Sequence, residues 1–466
     1  MPGRQIYLLS ARELSPETIA VAFAKTSRSP ESFRQIAAEL NEEKSARFHE
    51  RWVVGYGHAS VAEHAVLHIA FENISRVAIE CIESNRLASY TEKSTRYQKW
   101  GPDDFAVPPE LEGHPLHSAY LKSVRDLFQA YTNSLAPVRE VVMRQTSRRP
   151  EEDEGAFDRR IRSSYVDACR FLLPAAALAN VGMTANARVL ENAIRKMLSH
   201  PLAEVHQIGE EVKSIAALEA PTLIKYANET AYLKETPALL TAENSGHPPS
   251  SDWCTLIDYD HDGEKKVLAA ALYRFSGLPY AQALATVQTY PRQALVKLAE
   301  SLLGRLGEHD IPLRELEYCT YTFELVMDQG AYAEFKRHRM MTQTPQALTT
   351  RLGYATPRLI TEAGFRSRYE AAMETAAEMY EKLFAYHPLV AQYIVPNACY
   401  RRVLAQFNLR EAWHFCQLRA APNAHFSIRR VAQRVYEQIA QVHPLLARYM
   451  RLPAETWQEI QARHFD

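Results

Sequence analysis

Two short segments of this chain carry side chains whose types and spacing are suited to chemistry. The first is residues 89–97, with the sequence S-Y-T-E-K-S-T-R-Y. An extended backbone there would place Glu92, Ser94 and Arg96 on one side, because side chains alternate along a strand. A carboxylate, a hydroxyl and a guanidinium fork together suit a nucleotide, and a solvated strand edge has the same residue types. We therefore treat 89–97 as a candidate nucleotide-binding segment, with an exposed strand edge as the alternative.

The second segment is a basic cluster, Lys336-Arg337-His338-Arg339. Guanidinium groups bind phosphate oxygens through two parallel hydrogen bonds, so a nucleotide phosphate is the natural ligand. A basic surface loop is the alternative. The chain lacks a G-x-G-x-x-G or G-x-x-x-x-G-K-[ST] loop at these segments, which argues against a Rossmann or P-loop phosphate site.

The composition describes a globular protein without a general affinity for polyanions. Of 466 residues, 47% are hydrophobic and 23% are charged, and 54 basic residues balance 55 acidic ones to a net charge of −1. This balance favours neither nucleic acid nor an anionic membrane as a partner. The six cysteines are scattered without zinc-ligand spacing, so we expect no metal site and no disulfide framework. Without a signal peptide or a membrane-spanning stretch, the sequence predicts a soluble cytoplasmic protein.

The elements that position these segments occur twice in the same order. Residues 234–265 are rich in turn-forming and charged residues and are predicted to be a linker between domains at 1–233 and 266–466. Each half has an alternating strand, then a helix, then an arginine-bearing loop. The predicted segments are 66–74, 75–83 and 84–97 in the first half and 318–326, 330–335 and 336–354 in the second.

The parallel continues further along the chain. Each half has a helical face rich in tyrosine, within 120–131 and 369–383, then an apolar stretch ending at Pro174 or Pro396. An Asn-x-Arg triplet follows in each half, at 186–188 and 408–410. Helices outnumber strands in both halves, which predicts an α+β domain used twice.

The order of these motifs resembles the flavin-dependent thymidylate synthases, whose signature is R-H-R-x-x-S-x-N-E-x-S-x-R-Y. The first half matches through 57–64 (G-H-A-S-V-A-E-H), Arg86, 89–97 and 186–188. The second half is similar through 337–342 (R-H-R-M-M-T) and 408–419. The resemblance covers nearly the whole chain and implies two copies of one α+β domain, each with an antiparallel sheet flanked by helices.

Each copy departs from the signature where the other keeps it. The first half has S-N-R at 84–86 in place of R-H-R, and Met197 where the family places a pyrimidine-binding arginine. The second half keeps R-H-R and has Arg419 nine residues after Arg410, but T-P-Q at 344–346 breaks its later signature. The family's enzymes are homotetramers with sites between subunits, so the resemblance implies a homodimer with two intact and two degenerate pockets.

The resemblance also implies roles for particular residues. Candidate dUMP-binding residues come from both halves: Glu92, Ser94, Arg96, Arg170, Arg337 and Arg419. Ser94 and Arg419 are the candidate catalytic residues, Ser94 mainly as an orienting group. Candidate flavin contacts are His58, Ser60, Arg86, Asn186, Arg188, His338, Arg339, Asn408 and Arg410. The alternatives are a loop or helix-capping role for His58 and ion pairing for Arg170 and the Asn-x-Arg arginines.

The implied activity is FAD-dependent methylation of dUMP at C5 to give thymidylate, with methylenetetrahydrofolate and NADPH as co-substrates. Such a reaction needs positioned donors for charge that develops on the uracil carbonyl oxygens, and arginine supplies them. Two alternatives stay open: flavin-dependent modification of another pyrimidine nucleotide, and a non-catalytic nucleotide-binding paralogue.

Overall fold

The structure is a computed structural model that describes residues 11–25, 29, 31–55, 59–96, 98, 100–240 and 252–466. The chain forms two compact units. The first comprises Met1–Ser94, Asp103–Leu121 and Ala175–Gly246, and the second comprises Thr95–Pro102, Lys122–Pro174 and His247–Asp466. The units therefore differ from the boundaries expected from the sequence, since two segments of the first half belong to the second unit.

The first half of the chain contains ten helices and three strands among the described residues. In chain order they are α1 (Pro16–Lys25), α2 (Phe33–Ala38), α3 (Glu42–Phe48), β1 (Val66–Ser75), α4 (Arg76–Glu83), β2 (Ala88–Glu92), α5 (His117–Gln145), α6 (Glu154–Cys169), β3 (Leu178–Asn186), α7 (Ala187–Leu198), α8 (Ala203–Glu219), α9 (Pro221–Ile224) and α10 (Ala231–Leu240). Short 3₁₀ turns occupy Ala59–His64, Pro109–Leu111 and Arg170–Leu172, and a π-helical segment occupies His49–Gly55.

The second half repeats this alternation of helices and strands. In chain order the elements are β4 (Cys254–Tyr259), α11 (Gly263–Ser276), α12 (Tyr280–Thr289), α13 (Arg292–Leu303), β5 (Thr320–Asp328), α14 (Gln329–Phe335), β6 (Thr342–Pro345), α15 (Arg358–Glu362), α16 (Arg366–Tyr386), β7 (Tyr400–Asn408), α17 (Leu409–Ala420), α18 (Phe426–Val442), α19 (Pro444–Ala447) and α20 (Trp457–His464). The segment expected to be a linker, 234–265, contains β4 and the start of α11. Further 3₁₀ turns lie at Arg314–Tyr318 and Val390–Ile394.

Each unit contains an antiparallel sheet with one buried face. In the first unit the strand order is β1-β3-β2, and in the second it is β4-β5-β7-β6. Along β5 the buried residues alternate, as Tyr321, Phe323, Leu325 and Met327, and they pack into a core that includes residues of α17 and α18. This period-two burial is what the sequence predicts for a sheet covered by helices on one side.

Equivalent hydrogen bonds occur at corresponding places within each half. Tyr120 of α5 donates its hydroxyl proton to the carbonyl oxygen of Ala106 at 2.7 Å, and Tyr369 of α16 donates to that of Ala355 at 2.7 Å. Likewise, Glu17 of α1 accepts from backbone N–H groups at the start of α9, and Glu264 of α11 accepts at the start of α19. Such repeated contacts indicate one architecture used twice.

In one repeated contact, the positions of the acid and the hydroxyl are exchanged in the second half relative to the first. Ser75 caps α4 and donates to the Glu204 carboxylate, whereas Asp328 caps α14 and accepts from the Ser427 hydroxyl. The helix start therefore carries the hydroxyl in one copy and the carboxylate in the other. Both arrangements satisfy the first helical N–H groups and bury one acid with one hydroxyl.

The predicted α+β architecture, with antiparallel sheets flanked by helices, is confirmed. The predicted strands and helices correspond to β1, α4, α5, β5, α14 and α16. Both predicted arginine loops differ from the structure in one respect, because each contains a short edge strand, β2 or β6. Within the described ranges, no helix combines the length and apolarity needed to cross a membrane.

Candidate functional site

A cluster of arginines and carboxylates in the second unit is the candidate functional site. Arg96 forms a two-pronged ion pair with Asp167 of α6: its Nε and Nη2 each donate to a carboxylate oxygen at 2.8 Å. Its Nη1 donates to the carbonyl oxygen of Asn423 at 3.0 Å. The side chains of Arg96 and Asp167 are only 17% and 8% exposed. Burial raises the pKa of Asp167, and the positive charges of Arg170 and Arg96 oppose that rise.

Arg170 lies deeper, at the 3₁₀ turn that follows α6, and is 4% exposed. Its Nη1 donates to the Thr95 hydroxyl at 2.9 Å, and its Nη2 is 3.7 Å from Oε1 of Glu334. Arg170 Nε, Arg170 Nη2 and Glu334 Oε1 are buried and make no hydrogen bond within the part of the chain that is described. Burial lowers the pKa of Arg170, while Asp167 and Glu334 act in the opposite direction.

Glu334 of α14 connects Arg170 to a second arginine. Its Oε2 accepts a hydrogen bond from Nη1 of Arg419 at 3.0 Å. Burial lowers the pKa of Arg419; Glu334 raises it, and the nearby positive charge of Arg337 lowers it further. The carboxylate of Glu334 therefore lies between two guanidinium groups, and Arg337 adds an exposed positive charge close by.

His338 fixes the orientation of Arg419. Nε of Arg419 donates to His338 Nε2 at 3.0 Å, so that ring nitrogen is an acceptor without a proton. The proton is then on Nδ1, which donates to Oε1 of Glu411 at 3.1 Å. Burial lowers the pKa of His338, which agrees with a neutral ring.

Local structure explains how residues from both sequence halves reach one cluster. The segments that end at Pro174 and Pro396 pair antiparallel within the second unit. The Asn397 N–H donates to the carbonyl oxygen of Leu173 at 2.9 Å, and the Asn397 side chain donates to that of Arg170 at 3.1 Å. This pairing places Arg170 beside α14, which carries Glu334.

The structure brings together four of the six residues predicted to bind dUMP: Arg96, Arg170, Arg337 and Arg419. The other two belong to the first unit, where Glu92 pairs with Nη1 of Arg76 at 2.7 Å and Ser94 follows the end of β2. The predicted common face of Glu92, Ser94 and Arg96 is wrong. Because β2 ends at Glu92 and the chain turns at Thr95, the period of two is interrupted before Arg96.

The flavin residues predicted in the first unit lie on the strand-to-helix connections. His58 is outside the described residues; Ser60 is on the 3₁₀ turn Ala59–His64, and Arg86 is exposed. Asn186 caps α7 by accepting from the Val189 N–H at 3.0 Å, and Arg188 forms an ion pair with Glu63.

The second unit has the same arrangement at its own Asn-x-Arg triplet. Asn408 caps α17 by accepting from the Glu411 N–H at 2.9 Å, and Arg410 donates to the carbonyl oxygen of Pro312 and to Glu317. In both triplets the arginine therefore forms the ion pair that the sequence left as an alternative, and the asparagine caps the following helix. Arg339 follows His338 and is partly buried.

The sequence reasoning missed the carboxylates that hold the arginines in place: Asp167, Glu334 and Glu411. A local signal for two of them exists, because Asp167 precedes Arg170 by three residues and Glu334 precedes Arg337 by three. Such an acid, about one helical turn before a functional arginine, is a candidate member of the same cluster, although Asp167 and Glu334 hydrogen-bond to Arg96 and Arg419 in the structure.

A separate cleft of about 770 Å³ opens in the second unit between α11, α12 and the 3₁₀ turn Arg314–Tyr318. Its lining includes Tyr273, Tyr280 and Tyr318 and the ion pair between Arg274 and Glu315. None of the residues predicted for substrate or flavin lines it.

Comparisons with known proteins find similar sequences and one similar solved structure. The chain is 29% identical to a UPF0159 protein of Chlamydia muridarum over 434 residues, covering 89% of this chain and 82% of that protein. It is 26% identical to a flavin-dependent thymidylate synthase of Clostridium tetani, covering 46% of this chain and 82% of that enzyme. Among solved structures, the UMP/dUMP methylase PolB of Streptomyces cacaoi, bound with 5-Br dUMP, matches with a TM-score of 0.33 and 19% identity, over 42% of this chain and 93% of that one.

The model of the thymidylate synthase complementing protein family matches this chain twice, at residues 8–222 and 255–445. The two matches lie in the two sequence halves and together span most of the chain. The chain therefore belongs to the thymidylate synthase complementing protein family.

Proposed function

We propose that this protein is an FAD-dependent methyltransferase that methylates dUMP at C5 to give thymidylate, with methylenetetrahydrofolate and NADPH as co-substrates. The observation that carries the proposal is the cluster of Arg96, Arg170, Arg337 and Arg419, which draws on both halves of a family member. Flavin-dependent thymidylate synthases among its relatives support the reaction class.

The four arginines have different parts in this proposal. Arg337 is exposed, so its guanidinium can reach the substrate phosphate. Arg96 has its fork occupied by Asp167, and Arg170 is covered by Thr95, so these two maintain the shape and positive potential of the site. Glu92 and Ser94 stay predictions that rest on the resemblance.

Arg419 is the proposed catalytic residue of the second unit. Methylation at C5 increases the electron density of the uracil ring, and a positioned guanidinium stabilises the negative charge that develops on a carbonyl oxygen. Glu334 and His338 hold Arg419 in one orientation, so little reorganisation is needed when the charge appears. Flavin, when bound, would supply the hydride chemistry of the reaction, with NADPH as the reductant.

The residues proposed for flavin fit the cofactor unequally. Arg86 is exposed and Arg188 is half-exposed, so both offer positive charge to a diphosphate in the first unit. His338 fits poorly, because both ring nitrogens are engaged and the side chain is buried. We assign it to positioning Arg419 rather than to contacting flavin.

The quaternary proposal is a homodimer that resembles a tetramer of single-domain subunits. Each chain would then contribute both matched segments to the assembly. Light scattering of the purified protein tests this, since a monomer at working concentration contradicts it.

The function is tested with purified full-length protein. We expect a yellow protein with a flavin spectrum, and NADPH oxidation that requires both dUMP and methylenetetrahydrofolate and yields thymidylate by mass spectrometry. Arg419→Lys should lower turnover at least about a hundredfold, since one preorganised donor is lost at the reacting group. Arg351→Lys, at an exposed ion pair with Glu381, is the matched control.

Three outcomes contradict parts of the proposal. Absence of flavin indicates the non-catalytic paralogue. Bound flavin without dUMP-dependent oxidation indicates another pyrimidine nucleotide. Equal activity of the Arg419→Lys and control variants removes Arg419 from the reaction.

A further inference from the structure

We propose that the cleft between α11, α12 and the turn Arg314–Tyr318 binds a fused heteroaromatic ring with the hydrogen-bonding edge that guanine and the pterins share. The ring takes a place that a phenylalanine side chain fills in the first unit, and the pair of Arg274 and Glu315 binds its edge. None of the residues that line the cleft belongs to the arginine cluster, so the inference is independent of the proposed function.

Contacts that both halves make establish which positions correspond around the cleft. Glu17 and Glu264 each accept from a backbone N–H at the start of a later helix. The next helix begins sixteen residues after each glutamate, at Phe33 in α2 and at Tyr280 in α12. Tyr280 is therefore the counterpart of Phe33.

The turn before the strand gives a second pair of corresponding residues. Strands β1 and β5 begin at Val66 and Thr320, and each of these residues pairs with the asparagine of an Asn-x-Arg triplet. The residue two positions before the strand is His64 in the first unit and Tyr318 in the second. Tyr318 is therefore the counterpart of His64.

The cleft lies where the first unit places an aromatic side chain. Six positions after the corresponding glutamates, the first unit has Phe23 and the second has Ala270. The ring centroid of Phe23 is 5.3 Å and 5.0 Å from the rings that correspond to Tyr280 and Tyr318. Ala270 has no ring, and it lines the cleft together with these two tyrosines. A planar ring from a ligand is the group that would restore the missing aromatic contacts.

Aromatic surface and cleft size agree with such a ligand. Tyr273 lies three positions after Ala270 on α11, and its ring is 6.4 Å from that of Tyr280 in an edge-to-face arrangement. Tyr273 and Tyr318 are 55% and 60% exposed, so their faces are available for stacking. The volume of about 770 Å³ is within the range of roughly 300–1,000 Å³ that is usual for small-molecule sites.

The ion pair of Arg274 and Glu315 supplies the polar groups of the cleft. Nη1 of Arg274 donates to both carboxylate oxygens, at 2.9 Å and 3.2 Å. Within the described part of the chain these are the only hydrogen bonds of Arg274, so its Nε and Nη2 can donate to a ligand. Glu315 precedes Tyr318 by three residues in a 3₁₀ turn, a spacing that places two side chains above each other. The pair therefore offers one donor and two acceptors beside an aromatic ring.

Guanine and the pterins have the complementary edge. Their ring carbonyl oxygen, ring N–H and exocyclic amino group read acceptor, donor, donor. The carbonyl oxygen can accept from Arg274 while the two N–H groups donate to the oxygens of Glu315. Adenine would instead direct a ring-nitrogen lone pair at the carboxylate and its amino group at the guanidinium. An anion without a ring would be repelled by Glu315 and would leave the tyrosines without a partner.

The test measures binding of three phosphate-free probes to purified full-length protein. Guanosine and adenosine are titrated by isothermal titration calorimetry, and pterin by its fluorescence anisotropy. We expect guanosine to bind at least about tenfold more tightly than adenosine, because a charge-assisted hydrogen bond is replaced by a repulsion. Glu315→Gln should weaken guanosine binding about tenfold, since an amide N–H then faces a ligand N–H. Glu381→Gln, the same change at the exposed ion pair with Arg351, is the matched control and should leave binding unchanged.

Ala270→Phe tests the location of the ligand. It gives the second unit the ring that the first unit has, so it should abolish binding of guanosine and pterin. The thermal midpoint shows whether the variant is folded, and Glu315→Gln decides the matter if it is not.

Several results would overturn the inference. They are equal affinity for guanosine and adenosine, undiminished binding in folded Ala270→Phe or in Glu315→Gln, and binding of neither guanosine nor pterin. Binding of only one of these two probes supports the inference and identifies the source of the ring. Thymidylate formation tests the proposed function separately, so the two can fail independently.

Discussion

Asp167 is expected to contribute strongly to the stability of the second unit, and replacing it tests the electrostatic account of the arginine cluster. Asp167→Asn keeps the size of the side chain and removes its charge. Both oxygens of the carboxylate bind Arg96 at 2.8 Å, and Arg170 and the buried His425 lie close to the same place. Without the negative charge of Asp167, the guanidiniums of Arg96 and Arg170 would face each other, and the nearby carboxylate of Glu334 would compensate only the Arg170 side.

The magnitude follows from the burial of the pair. Breaking a buried ion pair from one side costs about 3–5 kcal/mol, because the remaining charge is left desolvated. With side chains that are 17% and 8% exposed, the Arg96 and Asp167 pair falls in this class. The pair of Arg351 and Glu381 is 50% and 52% exposed, so Glu381→Gln should cost less than about 1 kcal/mol.

Urea denaturation of the full chain, followed by circular dichroism, measures these free energies of unfolding. A double-mutant cycle with Arg96→Met separates the pair from other effects, and the coupling should be at least about 2 kcal/mol. The reasoning is refuted if Asp167→Asn costs no more than Glu381→Gln, or if the two single effects simply add in the double variant.

Three further predictions concern the site and the pH response. His338→Ala should weaken dUMP binding about tenfold, because Arg419 loses the acceptor that orients it. His338→Gln retains an acceptor and should keep most of the dUMP affinity. Equal losses of affinity in calorimetry would contradict the positioning role of His338. Burial lowers the pKa of His464 to about 4, below its unfolded value, so the unfolded state takes up the proton first and stability is lost as pH falls below about 6.5. His464 should account for about 2 kcal/mol of the stability lost between pH 7.5 and pH 5 in urea denaturation, so the loss should be smaller by about that amount in His464→Phe. An unchanged loss in that variant would exclude His464. Mixed dimers of Arg96→Ala and Arg419→Ala chains should bind no more dUMP than the separate variants, because both arginines of a cluster lie in the same chain. Recovery of dUMP binding after proven subunit exchange would contradict this.

The elements that the sequence predicted are those with a strong local period. Strand β5 alternates buried and exposed residues along its length, and α16 buries Tyr369, Met373, Ala376 and Leu383 at helical spacing. Strand β6 was missed because it is short, polar and paired on one side only, whereas β2 lies at the segment for which an exposed strand edge was the alternative. Short polar edge strands of this kind have no clear alternation of hydrophobic and polar residues.

The site was predicted less completely than the fold, because its contacts join distant parts of the chain. Arg96, Arg170 and Arg419 were found through the family signature, but the carboxylates that bind them were not. Asp167 is 71 positions from Arg96, and Glu334 is 85 from Arg419. A local pattern contains no information about pairing over that distance. The same limit applies to 122–174, which belongs to the first sequence half and lies in the second compact unit.

The exchanged pairs at α4 and α14 have a genetic consequence. Ser75 meets Glu204 in one copy, and Asp328 meets Ser427 in the other. A crossover between the duplicated regions that replaced only one partner would bring two acids, or two hydroxyls, to the same buried helix start. Two acids would repel each other, and two hydroxyls at the start of α14 would remove the acid that faces Arg430 and Arg170. Each copy is therefore tied to its own partner, which opposes homogenisation of the two repeats by recombination and preserves their divergence.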